Sequence, residues 1–113
     1  MIAWALACRG YLNSPVLVED YADRWWAVES QGAYVYLGSA YKNVWWAWSE
    51  PVQEPWMYAL AGTWSEVDDG AGTTVLEFSV AGRTYRVRIG SEDEMGCRGL
   101  SWGVVSEVVC PWP

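Results

Sequence analysis

The residues of this 113-residue chain best equipped for chemistry are its aromatics: ten Trp and seven Tyr stand against a single Phe, Phe78. Tyr and Trp join an apolar body to a polar tip, which suits half-wet surfaces, pockets and interfaces better than a dry core. Their spacing adds to this. The pattern Y-x-x-x-W-W-A occurs at Tyr21–Ala27 and returns 20 residues later at Tyr41–Ala47. In a strand, neighbouring side chains point to opposite faces, so Trp25/Trp26 and Trp45/Trp46 cannot all enter one core unless both faces are covered. By alternation Val44, Trp46 and Trp48 share one face and Trp45 lies on the other. Trp25, Trp45 and Trp48, with Tyr34 and Tyr36, therefore form the candidate recognition set: anchors for a protein partner, or a platform on which a nucleotide base or sugar ring stacks.

Carboxylates are the second candidate group. They gather as Glu19-Asp20-x-x-Asp23, as Glu66-x-Asp68-Asp69 and as Glu92-Asp93-Glu94, all at element ends or turns. None has the alternating D-x-D-x-D-G order of a calcium loop. Paired carboxylates can hydrolyse glycosides, but a small antiparallel domain offers little room for a deep cleft. Rigidly held carboxylates can also imitate a phosphate backbone and occupy a basic groove on another protein. Glu66, Asp68, Asp69, Glu92, Asp93 and Glu94 are the binding candidates on that reading.

Other chemistry is thinly supported. With no histidine, the commonest general base, the His-activated nucleophiles and most zinc sites are excluded. Nothing adjacent activates Cys8, Cys97 or Cys110 as a nucleophile. Gly70-Ala71-Gly72 lacks the Lys-Ser/Thr that would complete a phosphate loop. No catalytic residue, metal or cofactor is expected. Fourteen acidic against seven basic residues leave a net charge of −7, which forbids a broad basic face for nucleic acid and favours a basic partner. Arg83, Arg86 and Arg88 share a strand, but Glu77 matches Arg86 and Arg83 falls on the opposite face, so no basic patch forms.

The elements that must position these residues read mainly as strands. Thr74–Val80 and Arg83–Ile89 flank an Ala81-Gly82 turn, setting Phe78 opposite Tyr85, Leu76 opposite Val87 and Glu77 opposite Arg86. A second hairpin joins Arg24–Glu29 to Ala33–Gly38 through Ser30-Gln31-Gly32, with Tyr34 and Tyr36 on one face and Val35 and Leu37 on the other. Further strands are expected at Asn43–Ser49, Trp56–Val67 and Leu100–Val109, with turns at Asp68–Gly72 and Gly90–Gly99. Ser14-Pro15 is a helix entry, and Leu17, Tyr21, Trp25 and Val28 form a helical stripe, so a helix over about 15–28 competes with the first strand of the second hairpin.

The fold class is thus mainly β: one domain over residues 1–113, a small antiparallel sheet, barrel or sandwich with at most one helix, an α+β arrangement being the alternative. An odd number of cysteines reads as reduced thiols, with a Cys97–Cys110 bridge the alternative in an oxidising compartment. Met1–Cys8 lacks a basic n-region and reads as part of the fold, no run spans a bilayer, and a cytoplasmic setting follows. The leading expectation is a non-catalytic inhibitor, of which a phage-type anti-defence protein is one form, occluding a basic surface of a protein partner. The rivals are a small-ligand module stacking a nucleotide or sugar, and a structural subunit whose Trp residues make homo-oligomer contacts.

Overall fold

A computed structural model of the chain describes residues 18–68 and 74–113. After a one-turn helix α1 (Val18–Tyr21) come eight strands: β1 (Trp25–Val28), β2 (Ala33–Leu37), β3 (Asn43–Ala47), β4 (Ala59–Asp68), β5 (Thr74–Val80), β6 (Arg83–Glu92), β7 (Arg98–Trp102) and β8 (Val105–Trp112). Each pairs antiparallel with the next, and β1 pairs with β8, so the sheet closes into an eight-strand barrel in simple meander order. Closure removes both sheet edges. The mainly-β, antiparallel expectation holds.

The Ala81-Gly82 hairpin follows the register its alternation predicts: Val80 faces Arg83, Phe78 faces Tyr85 and Leu76 faces Val87. Outside the barrel, Arg86 Nε lies 3.2 Å from Glu77 Oε2. Both turn residues have positive φ, 53° at Ala81 and 77° at Gly82. A two-residue turn needs this to match the twist of its strands, and Ala tolerates it poorly. Ala81→Asn is therefore expected to raise stability by about 0.5–1 kcal/mol, read as a higher urea midpoint at unchanged slope; an unchanged or lower midpoint would show that Ala81 carries no such cost.

The repeated Y-x-x-x-W-W-A acquires a structural meaning. The Trp-Trp-Ala of its two copies lies in β1 and β3, which flank β2 in the same register. Tyr36 lies between Trp25 and Trp45, Val35 between Trp26 and Trp46, and Tyr34 between Ala27 and Ala47. One ladder of three faces outward and the next faces inward. The expected split of each Trp pair follows from this.

Three sequence expectations change. The helix expected over about 15–28 ends at Tyr21, and Trp25–Val28 is strand; Asp23, at φ 61°, turns the chain between them, its N–H donating to Leu37 O and its carboxylate accepting from Ser39 N–H and Oγ–H. Ser14-Pro15 lies outside the described residues. Leu100–Val109 is two strands, because Gly103 at φ 58° and the exposed Val104 make a tight turn inside it. The long strand begins at Ala59 and not Trp56, since Pro55–Met57 forms a 3-10 turn. The Asp68–Gly72 turn also falls mostly outside the described residues, Asp68 ending β4.

The core gathers at the end of the barrel where β1 begins. There Tyr21, Trp26, Trp64 and Leu76 pack with Leu37, Val44, Ile89 and Val109. Tyr21 and Trp64 meet edge to face at 5.8 Å, and Trp26 Nε1–H donates to Tyr21 O at 2.8 Å. Gly62 lets β4 close on β5: a Cβ there would lie 2.0 Å from Ser79 O.

Candidate interior ligand site

Eight strands enclose an interior just wide enough to be filled by side chains or to hold one small ligand. Here it is incompletely filled. A cavity of about 500 Å3 runs inside the barrel, within the usual range of roughly 300–1,000 Å3 for small-molecule sites. Alternation on each strand supplies its wall: Trp26 and Val28 from β1, Val35 and Leu37 from β2, Val44 and Trp46 from β3. On the far side stand Leu76, Phe78 and Val80 from β5 and Tyr85, Val87 and Ile89 from β6. Tyr21 closes one end. At the other, Gln31, Tyr85, Trp102 and Glu107 line the cavity, and Gln31 and Tyr85 are also exposed to solvent, so the cavity opens there.

The wall is apolar apart from a few groups. The Tyr21 hydroxyl donates to Glu66; burial, then the hydrogen bond and charge of that carboxylate, push the phenol far above its ordinary range. Ser30 Oγ–H donates to Glu107 at the open end. Arg98 is the one buried charged side chain among the described residues, 5 % exposed. Its Nη1 donates to Gly90 O at 3.0 Å, and Nη2 lies 3.9 Å from a carboxylate oxygen of the largely exposed Glu92. Arg98 Nε and Trp46 Nε1 are buried with no hydrogen-bond partner.

The residues singled out from sequence lie elsewhere. Trp25, Trp45, Tyr34 and Tyr36 are on the outer wall. Trp25 is buried there under the 51–58 segment, meeting Tyr58 at 5.3 Å and Tyr36 at 5.4 Å; Tyr34 meets Trp112 at 5.1 Å with the rings tilted. Burial and the charges of Asp23 and Glu54 raise the Tyr36 phenol. Trp48, 71 % exposed, stands past the end of β3 at the open end of the barrel, edge-on to Trp46. Glu66, Asp68 and Glu92–Glu94 mark the opposite, α1 end, where β4 and β6 finish. Asp69 lies outside the described residues. Asp93 serves its own turn, its carboxylate accepting from the N–H groups of Met95 and Cys97. The acidic clusters and Trp48 are thus not brought together. Among the described residues no His, Cys, Asp or Glu group is arranged to hold a metal, and no helix is long and apolar enough to cross a membrane.

Trp26, Trp46 and above all Arg98 line the cavity but are not among the candidates that the sequence offers. The available signal for Arg98 was the alternation Arg98-x-Leu100-x-Trp102, which puts a guanidinium in register with two apolar inward side chains. The reduced-thiol expectation is also corrected. Cys97 and Cys110 form a disulfide with their Cα atoms 4.0 Å apart, because pairing of Arg98 with Val109 brings the preceding and following residues face to face. Comparison with protein-family models, with curated proteins and with solved structures finds no match to this chain.

Proposed function

We propose that the protein is a non-catalytic ligand-binding barrel that takes up one small, largely apolar molecule through the open end of its interior. The observation that carries this reading is the 500 Å3 apolar cavity with the Trp26–Val35–Trp46 ladder on its wall. Two indoles flanking a smaller side chain leave a recess in which a ring or chain can lie against aromatic faces. This is the small-ligand alternative of the sequence reading, moved from the outer aromatics to the inner ones. The disulfide favours an oxidising compartment over the cytoplasmic setting expected from sequence.

A neutral fluorophore such as aminoanthracene is expected to bind one-to-one and to quench tryptophan emission. Val35→Trp should fill the recess and weaken binding at least about tenfold, the scale on which a blocked pocket loses a well-packed ring. The variant should keep a cooperative unfolding transition, since Val35 is only half buried and faces open space. No binding to the wild type, or equal binding to both proteins, would remove the cavity as the site.

A second reading, docking of a protein partner, is favoured by Trp48, Val52, Trp56, Met57 and Leu60, all strongly exposed within one segment. In that case replacing Trp56 and Met57, which do not line the cavity, with Ser would abolish partner capture and leave fluorophore affinity unchanged.

A further inference from the structure

We infer that the ligand carries a carboxylate, or an equivalent anionic acceptor group, which enters first and seats on Arg98 at the α1 end of the cavity. This rests on the cavity being the binding site. Among the described residues, the buried side-chain polar atoms without a partner are Arg98 Nε and Trp46 Nε1, and both residues line the cavity. Both are donors, so the complementary ligand supplies acceptors. Buried donors without partners are rare in folded proteins, and a buried guanidinium without a full set is rarer still.

The neighbours of Arg98 do not complete it. Gly90 O accepts one N–H at 3.0 Å. Glu92 stands 3.9 Å away, beyond hydrogen-bond reach, with its carboxylate mostly in solvent. Two further acids near the cavity are already engaged, Glu66 with Tyr21 and Glu107 with Ser30. A carboxylate from outside, by contrast, can take Nε–H together with an Nη–H in the two-point geometry that guanidinium favours. No other Lys or Arg lines the cavity among the described residues, so the anionic end has one seat and the ligand one orientation. Its body then lies toward Trp26 and the open end, where a further acceptor on it can take the Trp46 Nε1–H.

The test uses matched probes differing only at the head: anthracene carboxylate against anthracene carboxamide, and dodecanoate against dodecanol. The wild type is expected to prefer the acid of at least one pair by at least about tenfold, the scale of one hydrogen bond to a charged group. Arg98→Met removes the charge and keeps the apolar stem. It should abolish or reverse the preference and leave the neutral member's affinity within about threefold. If the wild type binds acid and neutral forms equally, the head-group inference fails and the cavity reading stands. If it binds none of the four, nor the neutral fluorophore, the cavity reading fails first and this inference with it. Because the wild-type comparison is decisive alone, a poorly folding Arg98→Met does not rescue the idea.

Discussion

Trp64→Ala is expected to lower the free energy of unfolding by about 3–5 kcal/mol, the usual cost of deleting a buried indole. Trp64 is 2 % exposed and among the largest fully buried side chains. Three contacts make the site hard to collapse. The indole meets Tyr21 edge to face at 5.8 Å, its Nε1–H donates to Gly38 O at 3.0 Å, and Lys42 Nζ lies 4.5 Å above the ring. The backbone of the same residue donates to Lys42 O at 2.9 Å. One side chain thus ties β4 to the β2–β3 turn and holds α1 as the closure of the cavity. Truncation leaves a void and strips the Gly38 carbonyl of its partner, and both terms add. Trp64→Phe keeps most of the apolar contact and loses only the N–H, so its cost should be clearly smaller. Against a total of about 5–15 kcal/mol for a domain of this kind, the Ala variant should sit near the edge of folding. Urea unfolding followed by far-ultraviolet dichroism measures both variants; a loss below about 1 kcal/mol for Trp64→Ala would mean the site collapses or is not the clamp described.

What could be read from the chain follows the range of the interactions concerned. The Thr74–Ile89 hairpin was legible because turn chemistry and alternation on both strands agree, and Glu77 opposite Arg86 allows one register only. The split of Trp25 from Trp26 and of Trp45 from Trp46 was legible for the same local reason. Which member of each pair faces inward was not. A one-residue change of register exchanges the faces of a whole strand, and the choice is made here by closure of β1 on β8, pairing Val28 with Val109. That contact spans 81 residues and leaves no trace in a ten-residue window. The candidate site differs accordingly by one residue along β1 and β3: alternation sets Trp45 apart from Val44, Trp46 and Trp48 without saying which face encloses a cavity, and the cavity wall belongs to Trp26 and Trp46. Arg98 was hidden for a related reason. It begins β7 directly after a Gly- and acid-rich turn, and a lone Arg beside such a turn reads as solvent-facing until the pairing with Val109 turns it inward. Leu100–Val109 read as one strand because Gly103 is the single break in a run otherwise rich in strand formers, and a two-residue turn needs no more than that.

Removing the disulfide, by Cys97→Ser together with Cys110→Ser or by reduction of the wild type, is expected to cost about 3 kcal/mol. The bridge has a sequence separation of 13, and the loss of unfolded-chain entropy from closing a loop of that size is about 3 kcal/mol. Local structure gives little reason for a large departure from that value. Cys97 immediately precedes β7 and Cys110 lies within β8, opposite one another, so the native strands already hold the two sulfurs together. The link acts at the α1 end, where β6 and β7 slip register between Ile89 and Glu92 and the ladder is interrupted. Thermal midpoints should fall by roughly 10–20 °C for a chain of this size. The loosening should also be local: hydrogen exchange ought to quicken first in β7 and β8, and the β5–β6 hairpin, with its own tight turn and ion pair, should keep its protection until global unfolding. Equal midpoints for wild type and the double Ser variant under non-reducing conditions would show that the strand pairing alone holds this seam. A uniform rise in exchange over all eight strands would show that the barrel opens as one unit and that the seam has no separate weakness.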